Sequence, residues 1–145
     1  MIKLVWMSIA YWEHFEHKAD IGIRGFGNTL SKAFEQAAVA MTAVVTDIAL
    51  VQTAATISIS CSDEDNDTLL YDWLNTLIYE MATRRMLFSK FEVTIDDGKL
   101  TAIAAGEVID IERHQPAVEI KGATYTELAV YKDEQQWVAQ CVIDV

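Results

Sequence analysis

Apolar and polar positions along the chain fall into two rhythms, period two and period near 3.6, and each marks a kind of element. Residues 11–16 (YWEHFE) are aromatic-rich and predict a first strand, followed by a short break at His17 to Asp20. Residues 21–27 (IGIRGFG) put Ile21 and Ile23 on one face of a second strand, which Gly25 and Gly27 weaken and end. Asn28 or Thr29 can cap a helix by accepting a free N–H. Leu30, Ala33, Phe34, Ala37, Ala38 and Met41 then recur at helical spacing, predicting a helix from about Leu30 to Val45 with a small-residue face suited to close packing on a sheet. Residues 55–61 (ATISISC) alternate, with Ile57, Ile59 and Cys61 on the inner face. A second helix spans about Thr68 to Thr83, with Leu70, Trp73, Leu74, Leu77, Ile78 and Met81 as its buried stripe.

The second half reads as strands. Residues 86–95 place Phe91, Val93 and Ile95 on one face, Asp96-Asp97-Gly98-Lys99 turns, and Leu100 to Ala105 returns. Residues 106–116 (GEVIDIERHQP) predict a loop. Val118 and Ile120 alternate in a further strand, followed by Tyr125 to Tyr131, and residues 132–136 turn the chain. Residues 137–145 form the last strand, with Asp144 on the face of Val138, Gln140 and Val142. The fold class expected is α+β: two helices packed on a mainly antiparallel sheet, in one domain over residues 11–145. Residues 1–10 (MIKLVWMSIA) are an N-terminal extension or extra strand. They lack a full signal-peptide core, and no run is long enough to span a membrane.

Charge narrows the function. The chain has 22 acids against 11 Lys and Arg, a formal net charge of −11. That opposes a direct grip on nucleic acid and fits cation binding or docking on a basic partner. Cys61 and Cys141 stand alone in apolar runs, as reduced thiols do, which points to the cytoplasm.

Few residues carry candidate chemistry. Asp63, Asp65 and Asp67 open like a calcium loop, but Thr68 and Leu74 stand where Gly and Glu are needed, so a solvated helix start is expected. His14 and His17 lie three apart on a strand and should face opposite sides, against a shared metal. Arg84 and Arg85 suit the negative end of the second helix. No nucleophile elbow, phosphate loop or dinucleotide fingerprint occurs, so a self-standing enzyme is not expected. Asp20 and Asp144 differ: each bounds an apolar strand, where an acid either caps a turn or has a task. If the last strand lies beside the Asp20 strand, the two carboxylates and a backbone carbonyl can hold a hard cation.

Four ordered blocks resemble the archease family over nearly the whole chain, from about Tyr11 to Val145. His17-x-Ala19-Asp20-Ile21-Gly22-Ile23 resembles the family's H-T-A-D-I-G-I. Leu69-Leu70-Tyr71-Asp72-Trp73-Leu74-Asn75, then Leu77-Ile78-Tyr79, resembles L-L-x-x-W-L-N-x-L-L-Y. Glu112-Arg113-His114 and Glu119-Ile120-Lys121-Gly122-Ala123-Thr124-Tyr125 resemble E-R-H and V-K-A-x-T-Y, and Val142-Ile143-Asp144-Val145 resembles a terminal L-D-[IV]. Lys18 replaces the usual Thr and Gly122 the usual Ala. The resemblance implies an accessory protein, not itself an enzyme. Its partner would be an RtcB-type GTP-dependent RNA ligase, whose guanylylation and turnover it promotes in tRNA splicing or RNA repair, with RNA contacted only indirectly. It also implies a divalent metal site at Asp20, Asp144 and the carbonyl of Val145, calcium-like in the isolated protein. His17 and Lys121 are implied contacts to partner or nucleotide. Two other classes compete: a chaperone-like binder of unfolded chains, and a metal-dependent phosphohydrolase using Asp20 and Asp144.

Overall fold

The computed structural model describes residues 9–145, so the predicted extra strand at 1–10 lies almost wholly outside the described residues. In order the elements are β1 (Tyr11–His17), β2 (Asp20–Gly27), α1 (Leu30–Val45), a 3-10 turn (Ile48–Leu50), β3 (Ala55–Ser62) and α2 (Asn66–Arg84). Then come β4 (Met86–Asp96), β5 (Lys99–Val108), the short α3 (Ile111–His114), β6 (Gly122–Ala123), β7 (Ala129–Asp133) and β8 (Gln136–Asp144).

Every strand pair is antiparallel, but the strands form two sheets where the sequence predicts one. The first runs β1-β2-β8, with β6 and β7 both along the far edge of β8. The second is β3-β5-β4. The reason for the split lies in α1, whose side chains occupy the edge of β4 that a joining strand would need. Glu35 accepts the Val93 N–H at 2.8 Å and Ser31 accepts the Ile95 N–H at 3.2 Å. Thr42 donates to the Phe88 carbonyl at 2.7 Å. Free edge groups are thereby satisfied by a helix instead of another strand.

Local chemistry sets the helices. Thr29 caps α1 by accepting the Lys32 N–H, and Ala33 and Ala37 let the helix sit on Gly25 of β2. Asp65 caps α2 through the Thr68 N–H, which accounts for one acid of the D-x-D-x-D run and lowers that carboxyl's pKa. The buried stripe of α2 is Leu69, Leu70, Trp73, Leu74, Leu77, Ile78 and Met81. Trp73 Nε1 donates to the Phe34 carbonyl at 3.1 Å, joining the helices in one core.

The stretch from 106 to 131 departs most from expectation. β5 continues to Val108, and residues 111–114 are helical where a loop is expected. Among the described residues Val118 and Ile120 pair with no strand, and β6 is only Gly122–Ala123. Residues 125–128 form a turn, closed by the Leu128 N–H on the Tyr125 carbonyl, before β7 begins at Ala129.

Candidate functional site

The first sheet brings the β1–β2 turn and the last residues of β8 to the same end of its strands. β1 and β2 are joined by a two-residue turn, Lys18-Ala19, with Lys18 in the left-handed region at φ 54, and His17 pairs with Asp20 across it. β2 and β8 pair from Ile21 opposite Ile143 to Gly27 opposite Trp137. One further step of that register sets Asp20 opposite Asp144, at the ends of their strands. On its other side Asp144 pairs with Gly122. His17, Asp20, Asp144 and Gly122 therefore make one row across four strands. Residues directly opposite in an antiparallel pair share a face, with Cβ atoms about 5 Å apart. The row thus lies on the face away from Ile23, Cys141 and Ile143, which are fully buried.

One step inward on that same face are Phe15, Gly22 and Val142. A Cβ on Gly22 would lie 2.3 Å from the Phe15 ring, so that ring lies over the glycine. The next step holds Arg24, whose guanidinium stands 4.4 Å from the Phe15 centroid. Its charge is taken by Glu13, and its Nε donates to Gln140 at 2.8 Å. No such partner serves the row: among the described residues neither Asp20 nor Asp144 is in an ion pair. Both acids are half-buried. Lys121 donates its backbone N–H to the Asp144 carbonyl at 2.8 Å, and its position in the chain puts it beside Val145.

The sequence-predicted residues His17, Asp20, Lys121, Asp144 and Val145 are thus neighbours in the fold. Two hard carboxylates and a nearby carbonyl suit a calcium- or magnesium-like ion, not a zinc site. Among the described residues there is no group of three or more His, Cys, Asp or Glu that could hold a metal. An ion held at this place would take at most two side-chain carboxylates from the row, with most coordination positions left to carbonyl, water or partner. His14 faces the other way, with Nε2 on the Ala40 carbonyl at 2.8 Å, as strand alternation predicts.

Two groupings were missed by residue patterns alone. Asn75 of α2 bonds both backbone groups of Ala123 and so holds β6 beside β8. Its signals in the sequence are a polar residue between the buried Leu74 and Leu77 and its place in the W-L-N block, and neither tells what it bonds. The second is Glu107, which binds Arg113 through both its oxygens and meets the buried His114. Those residues are separated by a break between elements, so no period links them.

Known proteins share this architecture and much of this sequence. The Archease protein family (MTH1598/TM1083) matches over residues 12–145. Protein archease of Pyrococcus furiosus is 40% identical over 139 residues, covering 92% of this chain and 98% of that one. Protein archease of Sulfurisphaera tokodaii is 38% identical over 136 residues, with the same coverage. The solution structure of Methanobacterium thermoautotrophicum protein 1598 superposes with a TM-score of 0.82 at 37% identity, over 92% of this chain and 98% of that one. A Thermotoga maritima crystal structure, described as an archease and possible chaperone, shares the fold with a TM-score of 0.62 at 17% identity, over 92% and 96%. With a family match over nearly its whole length and relatives near 40% identity, the chain belongs to the archease family.

Proposed function

We propose that this chain is an accessory protein that activates an RtcB-type GTP-dependent RNA ligase, promoting its guanylylation and multiple turnover. The observation that carries the reading is the register that sets Asp20 opposite Asp144 at one sheet end, with Lys121 bonded to Asp144. In this reading Asp20, Asp144 and the Val145 carbonyl hold a divalent cation. Such an ion neutralises phosphate charge when a triphosphate meets its nucleophile. The chain's own residues do the positioning. The β1–β2 turn fixes Asp20, the strand bonds of β8 fix Asp144, and Lys121 supplies a cation beside them for phosphate or partner. The net charge of −11 directs the chain to a basic protein surface and away from RNA itself.

The test is multiple-turnover RNA ligation by the cognate ligase, with and without this chain. The expected result is product in excess of ligase only when the chain is present, lost with Asp20→Ala or Asp144→Ala while both variants remain folded. Equal turnover without the chain, or full stimulation by both variants, would overturn the reading. Suppression of an unrelated client's aggregation without any effect on ligation would favour a chaperone-like binder instead. Phosphatase or nuclease turnover by the purified chain alone would favour a hydrolase.

A further inference from the structure

Helix α2 has a second stripe, opposite in purpose to its buried one. Asp72, Asn75, Thr76 and Tyr79 recur at helical spacing and border a cleft of ≈ 370 Å³, closed on its far side by Cys61 and Ser62 of β3. Asp72 is half-buried there and is in no ion pair among the described residues. Burial first, and the charge of Asp63 second, raise the pKa of its carboxyl. Burial first, and Asp72's charge second, push the Cys61 thiol up to about 11. The cleft therefore holds a half-buried carboxylate that is in no ion pair among the described residues.

Aromatic rings stand beside that carboxylate. Tyr79 is 64% exposed. Tyr125 is 70% exposed and stacks on Tyr71 of α2, with centroids 4.3 Å apart and planes 6° from parallel. An unpaired carboxylate flanked by exposed ring faces selects a cation, and a flat one above a spherical one. We propose that this cleft receives an arginine side chain of a partner protein. The guanidinium lies against tyrosine and forks onto Asp72, with the Ser62 and Thr76 hydroxyls within the same lining to accept its remaining N–H groups. A phosphate or nucleotide is repelled by Asp72 and by the chain's net charge. Asn75 borders the cleft and also holds β6, whose Gly122 pairs with Asp144. A partner anchored here is thereby held beside the Asp20–Asp144 row.

The direct test titrates the isotope-labelled full chain with N-acetyl-arginine amide, N-acetyl-lysine amide and guanosine monophosphate, followed by NMR. The arginine compound should shift the amides of Ser62, Asp72 and Thr76 saturably, the lysine compound more weakly, and the nucleotide not at all. Asp72→Asn, with its spectrum otherwise unchanged, should weaken the arginine response about tenfold. An equal response in that variant, shifts only elsewhere, or preference for the nucleotide overturns the proposal. A second arm rests on the ligase reading and measures capture of the cognate RtcB-type ligase by the full chain. Asp72→Asn and Tyr79→Ala should weaken capture, while Asp20→Asn keeps capture and loses stimulation. Undiminished capture by the first two overturns the docking cleft and leaves the ligase reading standing. No capture by the natural chain overturns the ligase reading, and the arginine titration alone then decides the cleft.

Discussion

The side-chain amide of Asn75 takes the place of a strand beside Ala123. It accepts the Ala123 N–H at 3.0 Å and donates to the Ala123 carbonyl at 3.3 Å. Ala123 is buried, so both backbone groups would otherwise be stranded without water. Asn75→Ala should therefore cost about 2 kcal/mol in denaturant unfolding, the usual cost of orphaned buried groups. Asn75→Asp, which keeps only the acceptor, should fall between. Amide exchange should quicken first at Ala123 and its neighbours. Unchanged exchange there in Asn75→Ala would show that β6 is held by β8 alone.

Two acids facing across strands repel when nothing lies between them. Like charges directly opposite destabilise a pair by about 0.5 kcal/mol. With divalent ions chelated, Asp20→Asn and Asp144→Asn should each unfold slightly later than the natural chain. With calcium added, the order should reverse, because a ligand that binds only the folded state raises Tm. Calorimetry with calcium and with chelator reads this without any ligase. A natural chain whose Tm ignores calcium and magnesium alike would remove the cation from the proposal.

Gly25 and Gly122 predict opposite outcomes for the same substitution. A Cβ on Gly25 would lie 2.3 Å from the Ala37 amide nitrogen and 2.4 Å from the Ala33 carbonyl oxygen, both backbone of α1. Helix backbone cannot step aside as a side chain can, so Gly25→Ala should cost about 3 kcal/mol. A Cβ on Gly122 meets only the Asn75 Oδ1, at an ordinary 3.5 Å. Gly122→Ala should change stability by less than about 0.5 kcal/mol. Thermal or denaturant unfolding of the two variants separates them.

That contrast shows what residue patterns reveal and where they stop. The apolar stripes of α1 and α2 and the alternation in β2, β3, β4 and β8 are local, so periodicity finds them. The facing of Asp20 and Asp144 needs β2 and β8 to be neighbours, which no local pattern states. An acid bounding an apolar strand marks each residue singly, and the resemblance to the family joins them as one site. Gly25 reads in sequence as a strand weakener, whereas the structure makes it the place where a helix touches the sheet. Residues 106–121 are likewise set by contacts far apart in the chain. Their order comes from long-range bonds: Ala117 N–H on the Val45 carbonyl, Thr46 Oγ1 on the His114 carbonyl, and Lys121 N–H on Asp144. A two-residue β6 held by one asparagine has no period to detect.

Glu107 ties the end of β5 to α3 and to the segment after α1, and it predicts an acid transition. Its carboxylate accepts from Arg113 and from the Gln52 N–H at 2.6 Å, and it meets His114 Nε2 at 3.0 Å. His114 Nδ1 accepts the Asp110 N–H, so the ring hydrogen is on Nε2 and faces Glu107. The Arg113 bond first, and the Gln52 amide second, pull the Glu107 pKa down from 4.5 to about 2. A carboxyl whose folded-state pKa lies below its unfolded value adds stability that is fully present above the unfolded value. That contribution is lost as pH falls through the window between them, here from about 4.5 to about 2. Denaturant midpoints measured across this window should fall for the natural chain. Glu107→Gln should lower the neutral-pH midpoint and flatten the fall, because the group that titrates is gone while an acceptor for His114 remains. Glu107→Leu removes that acceptor as well and leaves the Nε2–H of a buried ring without a partner, so it should be the less stable of the two at every pH. An acid limb equally steep in Glu107→Gln would assign the transition to other carboxylates.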